Sequence, residues 1–278
     1  MGRTVWFPGH MARGLRQLDE LAKKLDVIVE VRDARAPDVT GSHFSGRIAR
    51  LRPVWLVLAK SDLAEEEATA RWLSFFRDKG KMTWAFDLRK ARVEPFLRTL
   101  ARQRPGHREA RMAVIGIPNV GKSLFLNLIV GKSGSRVGAM PGVTRGVSWS
   151  RGKGFVVVDS PGIVDPKADP AVHRCLSWLG CEKTEVIGGH ASVALDFLSF
   201  LKKRELAEKV LEPWGVAPED EDPEALLQRI GLRLGCLVKG GEVDIERAAK
   251  RFLESFAMGK LGRVSLETPE LRFTGESP

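Results

Sequence analysis

Eight residues near the middle of the chain have the types and the spacing of a phosphate-binding loop. Residues 116–123, GIPNVGKS, fit the pattern G-x-x-x-x-G-K-[ST]. Gly116 and Gly121 permit backbone conformations that other residues avoid, and they leave the loop N–H groups open to an anion. In such a loop Lys122 reaches the outer phosphates and the Ser123 hydroxyl binds magnesium. The alternative is a glycine-rich turn between a strand and a helix that matches the pattern by chance.

The residues on both sides of this loop support the phosphate-binding interpretation. A short apolar run at 112–115 predicts a strand, and Leu124, Leu128 and Ile129 recur at helical spacing after the loop. A strand that enters the loop and a helix that leaves it are the context that the motif requires.

A second candidate site follows another apolar run. Residues 155–158 predict a buried strand that leads into Asp159-Ser160-Pro161-Gly162. An aspartate at the carboxyl end of a strand beside a phosphate loop holds magnesium, directly or through water, and Gly162 is placed to offer its N–H to a γ-phosphate. A loop that makes this bond only in the triphosphate state acts as a switch.

Apolar runs and amphipathic segments alternate through the first part of the chain. Strands are predicted at 26–31, 54–58 and 82–86, with helices at 12–25, 65–79 and 93–102. This alternation predicts an α/β fold with a mostly parallel sheet and helices on both faces. Beyond Asp165 the pattern is helical, with helices at 191–211, 223–237 and 244–258, the last capped by Asp244. We therefore predict an α/β domain over residues 1–182 and a small all-α domain over 183–278.

Charge is unevenly distributed along the 278 residues. Residues 1–189 hold 32 Lys and Arg against 19 Asp and Glu, a net charge of +13, whereas residues 190–278 hold 13 against 16, or −3. A basic surplus of this kind favours a polyanionic partner such as nucleic acid, with solvated Lys and Arg faces as the alternative. The three cysteines are odd in number, the N-terminus lacks the pattern of a signal peptide, and no apolar run approaches the roughly 20 residues of a membrane span. These features predict a cytoplasmic protein without a membrane partner.

The order of the motifs points to one protein family. Ala59-Lys60-Ser61-Asp62 matches the guanine-binding motif Asn-Lys-x-Asp, which in ordinary GTPases follows the phosphate loop but here precedes it. The domain therefore resembles a circularly permuted P-loop GTPase. Together with WFPGHM at 6–11, VEVRDARAP at 29–37 and KGGEVDIERAAKRFL at 239–253, the chain resembles the bacterial ribosome-biogenesis GTPases of the YlqF/RbgA family over nearly its whole length.

This resemblance implies a role for individual residues in binding guanine nucleotides and magnesium. Asp62 would take the guanine N1–H and 2-amino protons, and the Lys60 stem would cover the base. The nucleotide contacts that it implies are Lys60, Asp62, Asn119, Val120, Gly121, Lys122, Ser123, Thr144 and Gly162. The magnesium ligands that it implies are Ser123, Thr144 and Asp159. The chain departs from the family pattern at Ala59, where the usual asparagine ties the guanine motif to the phosphate loop, and we expect this to weaken nucleotide binding more than base choice.

Catalysis needs a residue that the usual motif does not supply. Ile163 occupies the position where many GTPases carry a water-orienting glutamine, and an isoleucine side chain does not hydrogen-bond water. In the family this replacement is paired with the histidine of the N-terminal PGH segment, which is His10. On composition alone a histidine there would instead mark a helix start or the edge of a core. Asn119 matches an asparagine that helps to hold potassium in some relatives, with loop geometry as its alternative role.

The resemblance implies a GTP-hydrolysing assembly factor that binds the maturing large ribosomal subunit and its rRNA, with no DNA partner. The all-α domain would supply basic residues to RNA phosphates, or these would form an ordinary solvated face. The residues concerned are Lys239, Arg247, Lys250, Arg251, Lys260 and Arg263. The alternative function is a regulatory GTP-binding switch that acts on a protein partner with little hydrolysis of its own.

Overall fold

The structure is a computed structural model. It describes residues 22–42, 45–90, 92–131, 135–137, 149–160, 162, 164–219 and 221–273. The predicted helix at 12–25 lies almost entirely outside these residues. None of the helices in the described ranges is long and apolar enough to cross a lipid bilayer.

A seven-stranded sheet forms the centre of the first part of the chain, in the order β3-β2-β1-β4-β7-β6-β5. The strands are β1 (Val27–Asp33), β2 (Val54–Ala59), β3 (Thr83–Phe86), β4 (Ala110–Ile115), β5 (Ser135–Val137), β6 (Trp149–Gly152) and β7 (Phe155–Asp159). Strands β3, β2, β1, β4 and β7 are parallel to one another, whereas β6 and β5 continue the sheet in antiparallel pairing. The prediction of a mostly parallel sheet is confirmed.

The apolar runs form the central strands because these strands are covered and carry mostly apolar side chains. All six residues of β2 are buried, and Ile28 and Val29 of β1 are fully buried. Every parallel strand ends at the same edge of the sheet, so the segments after β1, β2, β3, β4 and β7 leave from one edge. That edge is where a parallel sheet positions a ligand site.

Helices that accompany this sheet in the described residues are α1 (Ser45–Ile48), α2 (Glu66–Asp78), α3 (Glu94–Arg102) and α4 (Lys122–Val130). The predicted limits of α2 and α3 are within one residue of those observed. Trp72 of α2 is fully buried and stacks on Phe76 at 5.2 Å between ring centroids, and both belong to the core that Ile28 and Leu58 contribute from the sheet. Burial of such rings is a large part of the stability of the sheet–helix packing.

The later elements are helical: α5 (Pro170–Trp178), α6 (His190–Lys203), α7 (Ala207–Leu211), α8 (Pro223–Arg233) and α9 (Ile245–Ala257). The prediction of one helix at 191–211 is wrong, because the chain turns at Glu205, which has a φ of 55° and interrupts the helical hydrogen bonding between α6 and α7. The helix predicted at 223–237 ends at Arg233, and Leu237 instead forms an isolated antiparallel bridge with Val243. Asp244 caps α9 as predicted, since its carboxylate accepts the N–H of Arg247 at 3.0 Å.

The chain forms two compact units, residues 1–165 with 267–272 and residues 166–266 with 273–278. The predicted domain boundary lies after residue 182. Helix α5 belongs to the second unit, where Trp178 stacks on Phe197 of α6 at 5.0 Å, and this packing places the division earlier, after Asp165. Residues 267–272 return to the first unit, which sequence periodicity did not indicate.

Candidate nucleotide-binding site

The phosphate loop connects β4 to α4 as the motif predicted. Gly116 has a φ of 147°, and a Cβ atom there would lie 2.5 Å from the carbonyl oxygen of Val31. Asn119 also has a positive φ, of 58°, and α4 begins at Lys122. Only glycine fits position 116 because the backbone conformation and the close approach of β1 both exclude a side chain. The loop therefore continues directly into the first turn of α4. Backbone N–H groups in this arrangement bind phosphate.

Lys122 lies inside this loop. It is only 8% exposed, and its ammonium group donates a hydrogen bond to the carbonyl oxygen of Ile117 at 2.8 Å. A buried ammonium group is costly unless polar atoms compensate it. Holding the cation over its own loop places a positive charge where the outer phosphates of a nucleotide would bind.

Asp159 ends β7 next to the strand that enters the loop. It pairs in register with Val114 of β4, and the N–H of Ser160 donates to the carbonyl oxygen of Val114 at 3.1 Å. Partial removal of its carboxyl group from water raises the pKa of Asp159, and the positive charge of Lys122 offsets only part of that rise. A carboxylate whose ionised form is disfavoured in the protein alone is suited to a cation that restores it.

Gly162 closes the site from the same side. A Cβ atom at this position would lie 2.7 Å from the backbone nitrogen of Pro118 and 2.8 Å from the ammonium nitrogen of Lys122. The segment after β7 thus approaches the phosphate loop so closely that a side chain is excluded. Ser123 lies in the first turn of α4, Asp159 ends the strand next to β4, and Gly162 approaches the phosphate loop.

The predicted guanine motif, residues 59–62, lies against the phosphate loop, although the two are far apart in the sequence. Ala59 is the last residue of β2, and a Cβ atom on Gly121 would lie 3.3 Å from the Cβ of Ala59 and 3.1 Å from Leu88. Lys60 follows with a φ of 58° and precedes the short 3-10 turn Ser61–Leu63, which contains Asp62. Leu88, just after β3, was not predicted as part of the site, although the carboxyl end of a parallel strand is a signal for it.

A buried ion cluster holds the guanine-motif lysine. The Asp33 carboxylate, at the end of β1, is fully buried and accepts hydrogen bonds from Arg35 Nε at 3.0 Å and Nη2 at 2.8 Å. The ammonium group of Lys60 lies 2.9 Å from the same carboxylate. Burial alone would raise the pKa of Asp33, but the charges of Arg35 and Lys60 outweigh it and hold that pKa far below its usual range. No sequence motif predicted a role for Asp33 or Arg35.

The remaining predicted residues lie either outside the described residues or in the second unit. His10, Thr144 and Ile163 lie outside the described residues, so their proposed roles stay predictions. The six basic residues predicted to bind RNA belong to the second unit and all are exposed. Within that group, Arg251 Nη1 donates to the carbonyl oxygen of Leu234 at 2.7 Å, so part of its hydrogen-bonding capacity is used inside the unit.

No group of three or more His, Cys, Asp and Glu side chains that could hold a metal ion occurs in the ranges that the structure describes. The three cysteines are buried thiols. The magnesium site predicted here would differ from such a cluster, because its protein ligands are hydroxyl groups and a single carboxylate.

Comparisons with known proteins agree with this geometry. Residues 111–210 match the family model described as 50S ribosome-binding GTPase. The chain is 34% identical to ribosome biogenesis GTPase A of Bacillus cereus, with 95% of this chain and 94% of that protein covered. It is 32% identical to the protein of the same name from Thermotoga maritima, with the same coverage of both chains. The GDP-bound structure of YlqF from T. maritima superposes with a TM-score of 0.69 at 29% identity, covering 92% of this chain and 100% of that one.

Proposed function

This chain belongs to the ribosome biogenesis GTPase A family and is a GTPase, and from this premise we propose that it assists assembly of the large ribosomal subunit. The observation that carries the proposal is the meeting of the phosphate loop and the permuted guanine motif at one sheet edge, where Gly121 approaches Ala59. The names of the relatives supply the ribosomal part of the proposal.

The phosphate loop would bind the nucleotide through its backbone and through Lys122. Asn119, Val120 and Gly121 precede α4, where their N–H groups would meet the phosphates. Gly162 would donate its N–H to the γ-phosphate.

Magnesium would be held by the hydroxyl groups of Ser123 and Thr144 and by Asp159, directly or through water. When bound, magnesium supplies positive charge that offsets charge on the phosphate oxygens. The raised pKa of Asp159 supports this assignment, because among the described residues the charge of Lys122 offsets only part of the effect of its partial removal from water.

The choice of guanine would rest on Asp62. Its carboxylate would accept both the N1–H and the 2-amino protons of the base, and adenine does not present that pair of donors. The stem of Lys60 would cover the base. Its ion pair with the buried Asp33 supports this role, because it fixes the end of the side chain.

Hydrolysis would depend on His10, which we propose orients the attacking water. His10→Ala should bind GTP normally, hydrolyse it at least about 100-fold more slowly and stay on the ribosomal particle. GTP affinity and particle-stimulated single-turnover hydrolysis measure the two properties separately. If the variant shows full particle-stimulated hydrolysis, a residue other than His10 orients the attacking water.

Asn119 would help to hold a potassium ion beside the phosphates. Its exposed position in the loop, with a φ of 58°, supports access for an ion. Faster hydrolysis in potassium than in sodium at equal ionic strength is the expected result, and equal rates would leave Asn119 with loop geometry alone.

The ribosomal partner would be recognised through rRNA phosphates in the cytoplasm. The net charge of +13 over residues 1–189 supports a polyanionic partner, and the six exposed basic residues of the second unit would add local contacts. A regulatory switch that acts on a protein partner would not need this surplus.

Sedimentation with large-subunit precursor particles tests the proposal. The chain should bind with a non-hydrolysable GTP analogue, dissociate with GDP, and lose affinity steeply as salt rises because phosphate contacts release counterions. Binding that depends on neither the nucleotide nor the salt concentration would contradict an assembly role. It would favour a regulatory switch that acts on a protein partner.

A further inference from the structure

The C-terminal strap, residues 267–272, contributes a buried carboxylate to the first unit. Glu267 is only 1% exposed. Its Oε1 accepts the backbone N–H of Asp38 at 2.5 Å and that of Val39 at 3.1 Å. A carboxylate that is removed from water needs such donors, so the strap and the segment around Asp38 hold each other in place.

The segment that the strap holds is the loop after β1, residues 34–42. Thr40 Oγ1 donates to the carbonyl oxygen of Ala36 at 2.6 Å and accepts the N–H of Asp33 at 3.0 Å. Ser42 N–H donates to the buried carboxylate of Glu30 at 2.5 Å. These bonds cross the loop, so a displacement at Asp38 is passed on to its beginning.

The beginning of this loop is attached to the guanine motif in two ways. The N–H of Ala34 donates to the carbonyl oxygen of Ala59 at 2.8 Å, and the Asp33 carboxylate pairs with Lys60 at 2.9 Å. Lys60 itself is held in a left-handed conformation. The loop therefore positions both the backbone and the side chain of the guanine motif.

The strap is also anchored on α2. Trp72 Nε1 donates to the carbonyl oxygen of Glu267 at 3.2 Å, and Arg71 pairs with Glu270 at 3.4 Å on the surface. The guanidinium of Arg272 lies 5.1 Å from the ring centroid of Phe75. One buried and two outer anchors thus keep Glu267 at the loop.

We propose that Glu267 is a positioning residue for guanine nucleotide binding. It acts through the loop and Asp33 on Lys60, and the inference rests on the proposed role of Lys60 in covering the base. Without the negative charge, the N–H groups of Asp38 and Val39 keep at most a weaker, neutral acceptor, so the loop gains freedom and bound nucleotide leaves faster. Base choice stays the same because it depends on Asp62.

Replacement of Glu267 by glutamine tests this inference with little change in volume. Glu267→Gln should release fluorescent GDP about five- to tenfold faster in a stopped-flow experiment. The affinity ratio of GDP to XDP should remain that of the unaltered chain. Hydrogen exchange should also become faster in the peptide that contains Asp38 and Val39.

Asp26→Asn is the matched control. The Asp26 carboxylate likewise accepts a backbone N–H, that of Arg111 at 2.8 Å, but it lies before β1, at the opposite end of that strand from Asp33. This variant should lose stability without changing the rate of GDP release. If both variants accelerate release equally, general destabilisation explains the effect and the inference falls.

A double variant covers the case in which Glu267→Gln does not fold. Glu270→Lys with Arg272→Ala removes the two outer anchors and leaves the buried residues intact, and it should release GDP about twofold faster. If a folded variant of the strap releases GDP at the rate of the unaltered chain, the proposed role of Glu267 is contradicted, whereas the nucleotide-binding site is not. Absence of GDP binding by the unaltered chain would overturn the nucleotide site together with it.

Discussion

Two aspartates end strands on either side of β4, and their surroundings are opposite. Asp33 ends β1, is fully buried, and has Arg35 and Lys60 within 2.9 Å. Asp159 ends β7, is exposed, and has the charge of Lys122 acting on it. The pKa of Asp33 is lowered despite burial, whereas partial removal from water raises the pKa of Asp159.

The difference shows that one residue type at one kind of position can have opposite charge environments. Asp33 has its counter-charges within the protein, so it stabilises the guanine motif. Among the described residues, Lys122 is the one charge that acts on Asp159, so Asp159 is suited to a bound cation. An aspartate at a strand end therefore does not identify a metal ligand until the neighbouring charges are known.

The largest effect is expected from removing the charge of Asp33. Asp33→Asn should lower the free energy of unfolding by about 3 to 5 kcal/mol, because Arg35 and Lys60 would remain without their carboxylate. Asp159→Asn should leave stability almost unchanged, since its ionised form is not favoured by folding. Urea unfolding of both variants at pH 7 measures the two free energies of unfolding. Equal losses in the two variants would contradict the expected difference between Asp33 and Asp159.

Asp159→Asn also tests the proposed role of Asp159 in holding magnesium during hydrolysis. Hydrolysis should fall about 100-fold, and the magnesium concentration needed for half-maximal rate should rise, because one oxygen ligand has lost its charge. Single-turnover phosphate release over a magnesium titration gives both quantities. A normal magnesium dependence would mean that Asp159 is not part of the metal site.

Asp62 is a third carboxylate, for which we propose a role in the choice of base. Asp62→Asn should lower GTP affinity about tenfold and relax discrimination against xanthosine nucleotides, whose 2-oxo group accepts the N–H of the amide. Competition binding with GTP and XTP measures this change. Unchanged GTP affinity would show that Ala59-Lys60-Ser61-Asp62 does not bind guanine.

The smallest effect concerns a carboxylate before β1. Burial would raise the pKa of Asp26, but hydrogen bonds from Arg108 and from the N–H of Arg111 outweigh it and lower that pKa below its ordinary value. A lowered pKa gives stability that is present above the unfolded-state pKa and is lost as pH falls through the folded-state value. Arg108→Ala should therefore cost about 1 kcal/mol at pH 7 and progressively less below about pH 4. Unfolding measured at both pH values checks this, and a pH-independent cost would assign Arg108 a packing role.

The sequence by itself predicted the parallel strands and the main binding motifs, but not the break between α6 and α7 or the antiparallel strands β5 and β6. Gly116, Gly121 and Lys122 mark a phosphate loop because that backbone and that charge are needed for phosphate. Apolar runs predicted the parallel strands, since covered strands are built mostly from apolar side chains. The early position of Asp62 indicated the permutation, because motif order is a property of the sequence alone.

The tertiary structure decided which distant groups meet. Asp33 lies at a strand end just as Asp159 does, but only the folded sheet places Lys60 beside it and so sets its charge environment. Glu267 has no periodic or motif signal, and its contact with Asp38 arises from the return of the chain to the first unit. Local sequence patterns predict structure that depends on residues close together in the sequence. The compensation of a buried charge depends instead on groups that folding brings from far along the chain.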